Sequence, residues 1–222
     1  MAYDWNFSIF IPYWPAFLRA LVVTIELAVY SSFIGTILGF LLAFALRLNV
    51  VGRLFRLIND IFRAIPVLVL MFFFYYFPYD SVGVPAPTAF YAALAALTLA
   101  QANFTADIVR SAIDGVNVKI IDGARSLGFK EHTIWLKVRL PDVFRQILPT
   151  LMAFFIGNIK LSSLASVIGT EEVVYVAQTA VGQTFRSLEA WVIVGSLYIV
   201  IVLPLTFFSS YIESLEWMKR KS

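Results

Sequence analysis

Few residues in this chain are equipped for chemistry, and they fall into two groups. The first is a charged segment, residues 120–149, reading IIDGARSLGFKEHTIWLKVRLPDVFRQILP, which interrupts an otherwise apolar sequence. Within it Asp122, Gly123 and Ala124 come first, Gly128 follows, and Val138, Leu140 and Pro141 close the pattern. The second group is three charges, Glu26, Asp107 and Lys160, stranded inside apolar runs. A charge held in hydrocarbon costs roughly 2.5–3.5 kcal/mol on insertion scales, so such residues line pathways, relay protons or pair with one another. Neither group joins a nucleophile to a base and an acid, so hydrolytic chemistry is not indicated. Cysteine is absent and His132 is the single histidine, which removes disulfides, thiolate metal sites and histidine clusters.

The elements that must position these groups are membrane spans. The chain is 60% hydrophobic and 14% charged over 222 residues, too apolar for a soluble domain. A crossing helix needs about 20 largely apolar residues. Runs of that kind occupy residues 17–46, 54–78, 88–110, 143–161 and 190–212, the last with a kink expected at Pro204. The second is long enough only if its charge-free part, residues 64–79, extends backwards and lets Arg56 and Arg63 snorkel. No basic leader precedes the first run, so a cleavable signal is not expected, and the aromatic start with Pro12 and Pro15 reads as interfacial.

The net charge of +3 comes from bases lying between spans, which suits a membrane surface better than nucleic acid. Arg47, Arg53, Arg56 and Arg63 surround the first connection. Arg110, Lys119, Arg125, Lys130, Lys137, Arg139 and Arg145 crowd the third, and Lys219, Arg220 and Lys221 close the chain. Five spans with this alternation put the N-terminus outside and the C-terminus in the cytoplasm. The expected fold is therefore an all-α membrane protein: one transmembrane domain over residues 1–222, a five-helix bundle with a cytoplasmic coupling-helix elbow at residues 116–141. Residues 162–189 are too long for a turn, and the spacing of Val174, Ala177 and Val181 predicts a short helix or partial re-entry near the outer mouth.

Local cues shape the elbow. Asp122 suits the start of a helical turn, where a carboxylate meets the positive helix end. Ala124 and Ser126 are small enough for close approach to another surface, and Gly128 predicts a helix stop through a left-handed conformation. A second amphipathic helix follows, with Ile134, Trp135 and Val138 on its apolar side and Lys130, Lys137 and Arg139 on the other. Pro141 ends it and opens the fourth span. A plain basic loop is the alternative, but it leaves the spaced glycine, the Leu-Pro and the interleaved aromatic without a purpose. For the three stranded charges two readings each stay open. Asp107 either lines a pathway or pairs with Arg110 one turn later. Lys160, toward the outer end of span four, lines a pathway or snorkels outwards. Glu26, about two turns into span one, lines a cavity or faces the bundle.

At these residues the chain resembles the membrane subunits of ABC importers. Their elbow pattern is Glu-Ala-Ala, a Gly six residues after the Glu, and then Ile-x-Leu-Pro. Here it stands as Asp122-Gly123-Ala124, Gly128 and Val138-Arg139-Leu140-Pro141, with Asp for Glu, Gly for the first Ala and Val for Ile. Further segments are similar to the polar amino-acid uptake branch. Leu21-Val22-Val23-Thr24-Ile25-Glu26-Leu27 resembles its first-span opening. Phe62-Arg63-Ala64-Ile65-Pro66-Val67-Leu68 resembles its Phe-Arg-Gly-Thr-Pro-Leu-Leu, and Ala106-Asp107-Ile108-Val109-Arg110 its Ala-Glu-Ile-Val-Arg. Lys160-Leu161-Ser162-Ser163-Leu164 matches Lys-Asp-Thr-Ser-Leu except that Leu161 replaces the Asp.

The resemblance implies a permease of the bacterial inner membrane that moves a polar amino acid or related solute. It would pair with a second permease copy or paralogue, with a cytoplasmic ATPase dimer and with an extracytoplasmic solute-binding protein. The ATPase contact would fall on Asp122, Gly123, Ala124, Ser126, Leu127, Gly128, Val138, Leu140 and Pro141. The chain has no Gly-x-x-x-x-Gly-Lys-Ser/Thr loop, so ATP and its Mg belong to the partner, and no cofactor or metal is expected here. Two other classes remain: an ion-coupled carrier with Asp107 and Glu26 relaying protons, and a membrane scaffold that transports nothing.

Overall fold

The computed structural model describes residues 3–48 and 51–215, and among these every regular element is helical. The basic tail with Lys219, Arg220 and Lys221 lies outside the described residues. A 3-10 turn, Phe7–Tyr13, leads into α1 (Trp14–Ala45), where Pro15 occupies a first-turn position that needs no backbone donor. There follow α2 (Val51–Ala64), α3 (Val67–Tyr76) and α4 (Ala89–Asp114). The elbow holds α5 (Val118–Ser126) and α6 (Glu131–Ile134); α7 (Leu140–Leu161), α8 (Val173–Thr184) and α9 (Ser187–Ser214) complete the chain. The continuous helical stretches Phe7–Ala45, Ala89–Asp114, Glu131–Ile168 and Ser187–Ser214 are long and apolar enough to cross a membrane.

The second expected span differs. Instead of one helix over residues 54–78, the chain bends by 100° between Gly52–Ala64 and Val67–Tyr76. Pro66 is the cause: it has no N–H to donate and it drives Ile65 out of the helical region, so α2 cannot continue into α3. Arg56 and Arg63 therefore do not snorkel from a straight span; they sit on a separate helix. With ten residues, α3 rises only about 15 Å, half a bilayer.

Contact between α1 and α4 organises the bundle. A Cβ built on Gly39 would lie 2.4 Å from Thr105 Cβ and 2.6 Å from the Ala102 carbonyl, and one on Gly35 would lie 2.5 Å from Gln101 Cβ. The two backbones thus approach as closely as glycine allows. Buried Ala92, Ala93, Ala96, Ala102 and Ala106 of α4 serve the same end. In lipid, association rests on such van der Waals packing of small residues rather than on a hydrophobic drive.

At the end of the bundle remote from the elbow, the N-terminal arm is tied to the head of α9. The fully buried Glu189 carboxylate accepts hydrogen bonds from Tyr3 Oη, from the Asn6 amide (3.2 Å) and from Arg186 (3.4 Å). Arg186 also donates to the Asp4 carbonyl at 2.7 Å. Its hydrogen bond to that carboxylate raises the Tyr3 phenol above its ordinary pKa. Residues 162–189 hold a 3-10 turn, Ser162–Ile168, and then α8, which matches the short helix expected there.

Candidate functional site: the elbow and the charges at mid-height

The elbow is an ordered, braced object. Asn117 caps α5, its side chain accepting from the Lys119 amide at 2.9 Å. That corrects the place expected for Asp122, which lies in the middle of α5 and not at its start. Asp122 accepts instead from Arg125 (3.2 Å). Gly128 does what its position predicts, with φ at +77°. The Gly128 amide donates to the Arg125 carbonyl (2.9 Å) and the Phe129 amide to the Ala124 carbonyl (3.2 Å), which satisfies two free carbonyls in a Schellman closure. Arg125 then reaches across the reversal to Glu131 at 2.6 Å and holds α6 against α5.

Pro141 does not end a helix. The chain passes from α6 through a π-helical turn, Trp135–Arg139, straight into α7. A proline inside a regular helix collides with the carbonyl four residues back. The wider turn, in which the Leu140 amide donates to the Trp135 carbonyl, absorbs that conflict without a break. Arg139 stacks over the Trp135 ring, 5.4 Å from its centre. Ile121 and Ile134 are buried in one cluster with Ala43 of α1, Val109 and Ile113 of α4, and Val143 and Ile147 of α7. The elbow is therefore welded to three long helices.

Around this base lies an exposed apolar rim: Leu127 (79% exposed), Val118, Ile120, Phe129, Leu136 and Leu140. Exposed apolar side chains clustered in this way form a contact surface for protein or membrane. Of the residues expected there, Ala124 and Val138 are half-buried, while Asp122, Gly123, Ser126, Leu127, Gly128, Leu140 and Pro141 are exposed. Val118, Ile120, Phe129 and Leu136 escaped the motif reading. Their signal was present all the same, as apolar residues that lie outside the spans.

Asp107 does not pair with Arg110. It forms an ion pair with Arg63 of α2, and this joins two elements 44 positions apart in sequence. Both partners keep some exposure, so the pair contributes about 1 kcal/mol or less. In a double-mutant cycle read by thermal unfolding in detergent, Arg63→Gln and Asp107→Asn should show coupling of that order. Arg110→Gln with Asp107→Asn should show none, and the reverse result would restore the intrahelical pair.

Lys160 lies in the last turn of α7, the end of the fourth span where it is expected, but that end does not reach as high as the neighbouring helices. Two residues before it, Asn158 donates to Ser32 Oγ (2.9 Å) and to Gln101 Oε1 (3.0 Å). Ser32 lies about 27 Å along α1 from Trp14, so α7 stops near mid-height of the bundle rather than at its outer end. The 3-10 turn and α8 build the rest of that wall. Lys160 is exposed on a groove of about 250 Å³ with Tyr198, Ile199, Val202, Leu203 and Thr206. Tyr198 is about 16 Å down α9 from Ser187. Glu26 is half-buried and points away from the stripe Phe17, Ala20, Thr24, Ala28, Ser31 and Gly35 that α1 buries. Neither Glu26 nor Lys160 forms an ion pair among the described residues. The structure thus separates the three charges: Asp107 pairs with Arg63 within the chain, Lys160 is exposed in a groove beside α9, and Glu26 is half-buried about 18 Å along α1 from Trp14. A buried polar knot had no motif to announce it. In it, Gln101 donates to Thr36 and Thr105 (both 3.2 Å) while accepting from Asn158.

Comparison with known proteins agrees with this geometry. The sequence profile described as binding-protein-dependent transport system inner membrane component matches residues 35–215. Vibrio harveyi "Probable amino-acid ABC transporter permease protein PatM" is 34% identical over 213 residues, with 93% of each chain covered. The arginine transport system permease protein ArtQ of Bacillus subtilis is 32% identical over 212 residues, covering 94% of this chain and 95% of that one. A solved chain from an amino acid ABC transporter crystallised with histidines superposes with a TM-score of 0.87 at 27% identity, covering 95% of this chain and 99% of the other. A chain of the inward-facing MetNI methionine ABC transporter shares the fold, with a TM-score of 0.73 at 22% identity, covering 91% and 96%. The chain belongs to the family of binding-protein-dependent transport system inner membrane components, as the permease subunit of an ABC importer of the amino-acid uptake branch.

Proposed function

We propose that this permease moves a polar amino acid into the cytoplasm by alternating access, paired with a second permease, identical or paralogous. Its N-terminus lies outside and its elbow in the cytoplasm, seated in an ATPase dimer that binds the ATP and Mg. An extracytoplasmic binding protein delivers solute to the far end. One observation carries the reading: the apolar rim of the elbow is fixed through Ile121 and Ile134 to the core of α1, α4 and α7. A displacement of the elbow must therefore reach the spans as a rigid-body motion, which is what alternation around a mid-membrane site requires. In vesicles holding the permease, its ATPase and the binding protein, uptake should need all three together with ATP and should survive collapse of ion gradients. Gradient-driven uptake without the ATPase would instead establish the ion-coupled carrier.

Glu26 and Lys160 are pathway residues in this reading, because each is a charge within a span that forms no ion pair among the described residues. Lys160→Met and Glu26→Gln should each lower uptake about tenfold or more while the complex still assembles. Unchanged uptake in both would return Lys160 to snorkelling towards the outer surface and Glu26 to a place facing the bundle.

A further inference from the structure

We propose that α2 is an in-plane anchor that binds the headgroups of anionic lipids. The inference stands on the geometry of α2 and holds whatever solute the pathway carries.

At 3.6 residues per turn, Leu54, Leu57, Ile58 and Ile61 share one face of this helix, and Arg53, Arg56, Asp60 and Arg63 share the opposite one. The apolar face is not used inside the chain. Leu54 and Leu57 are each 59% exposed, and Ile58 and Ile61 are exposed beside them. Burial on α2 falls instead on Gly52 and Asn59, at the border of the polar face, with Phe62 partly buried against the core beside them. The helix thus docks on the bundle by this flank and turns the face of Leu54, Leu57, Ile58 and Ile61 outwards. The 100° bend at Pro66 decides the orientation: if α3 follows the membrane normal, α2 lies in the membrane plane. A helix of this pattern at the boundary sinks its apolar face about 5–10 Å into the acyl region and leaves its charges among headgroups.

Charge complementarity names the occupant. Arg63 is engaged by Asp107, but Arg53 and Arg56 form no ion pair among the described residues. Arg56 bonds only the Gly52 carbonyl, at 3.3 Å, through Nε, which leaves its terminal nitrogens for another acceptor. Two guanidinium groups one turn apart, level with the phosphates, match the bidentate geometry of a phosphodiester. Each basic side chain at an anionic surface is worth about a fivefold preference.

Absence of cysteine from the chain allows one fluorophore at Leu57→Cys, with Leu54→Cys as a second site. The permease with its ATPase would be reconstituted in phosphatidylcholine vesicles containing either brominated phosphatidylglycerol or brominated phosphatidylcholine. Both brominated lipids should quench the fluorophore, with phosphatidylglycerol preferred on the order of tenfold. Arg53→Gln with Arg56→Gln should bring that preference close to unity. Quenching by phosphatidylcholine should persist in this double variant, showing that α2 still lies in the acyl layer. No quenching by either lipid would mean that protein covers this face. Equal quenching in the parent, or a preference that survives the double substitution, would equally overturn the proposal.

Discussion

Valine in place of Gly128 should strip the ATPase from this permease while leaving the permease in the membrane. The residue has φ at +77°, and no atom lies within 4 Å of where its Cβ would be, so the penalty is backbone strain and not collision. The left-handed region costs an ordinary residue about 1–2 kcal/mol, and a β-branched one is worse placed still. The strain falls on the closure between α5 and α6, which rests on two backbone bonds, on Arg125 and on the packing of Ile121 with Ile134. The rim formed by Ile120, Leu127 and Phe129 then loses its shape, whereas the spans are untouched. Co-purification should show retained permease with ATPase reduced at least tenfold, and uptake lost with it. Gly195→Ala is the matched control. It too has no neighbour within 4 Å and no positive φ, but it lies in α9, away from the elbow. Association should be unchanged. Retention of the ATPase in Gly128→Val would show that the elbow is not its seat.

The second large effect belongs to Gly39. A leucine there would place its Cβ 2.4 Å from Thr105 Cβ and 2.6 Å from the Ala102 carbonyl. A side chain can swing aside, but a carbonyl within a helix cannot, so α1 and α4 must separate along their length. Ordinary overpacking costs about 1–3 kcal/mol. Separation here also parts Gln101 from Thr36 and keeps Asn158 from holding Ser32 of α1 and Gln101 of α4 together, so the loss should exceed that range. Gly39→Leu should fail to accumulate as a monodisperse protein in detergent. Gly157→Ala, where nothing lies within 4 Å, should behave like the parent. A normal thermal midpoint for Gly39→Leu would refute the close contact of α1 with α4.

Much of this was legible from residue types alone, wherever the cause was local. Gly128 announces its left-handed turn because nothing else tolerates that conformation as easily. The run lengths and the basic connections mark the helices because lipid thickness and charge are one-dimensional constraints. The misreadings share an opposite origin. Pro66 was visible, yet the demand for a full-length second span outweighed it; the sequence could not show that a half-length α3 was acceptable until α4 packed beside it. Pro141 looked like a stop because a π-helical turn leaves no compositional mark. Helical spacing offers Arg110 as one of two readings for Asp107, whereas its partner Arg63 arrives only through tertiary folding. The height of Lys160 depended on where Asn158 binds, a contact made to side chains 126 and 57 positions away. Exposure of Leu54 and Leu57 likewise follows from the 100° bend.

The Glu189 clasp joins distant parts of the sequence. Tyr3 and Asn6 lie 186 and 183 positions before Glu189. A contact of that span closes a long loop, and its entropic cost is met only once the helices between have packed. The clasp should therefore be among the last contacts to form as the bundle assembles.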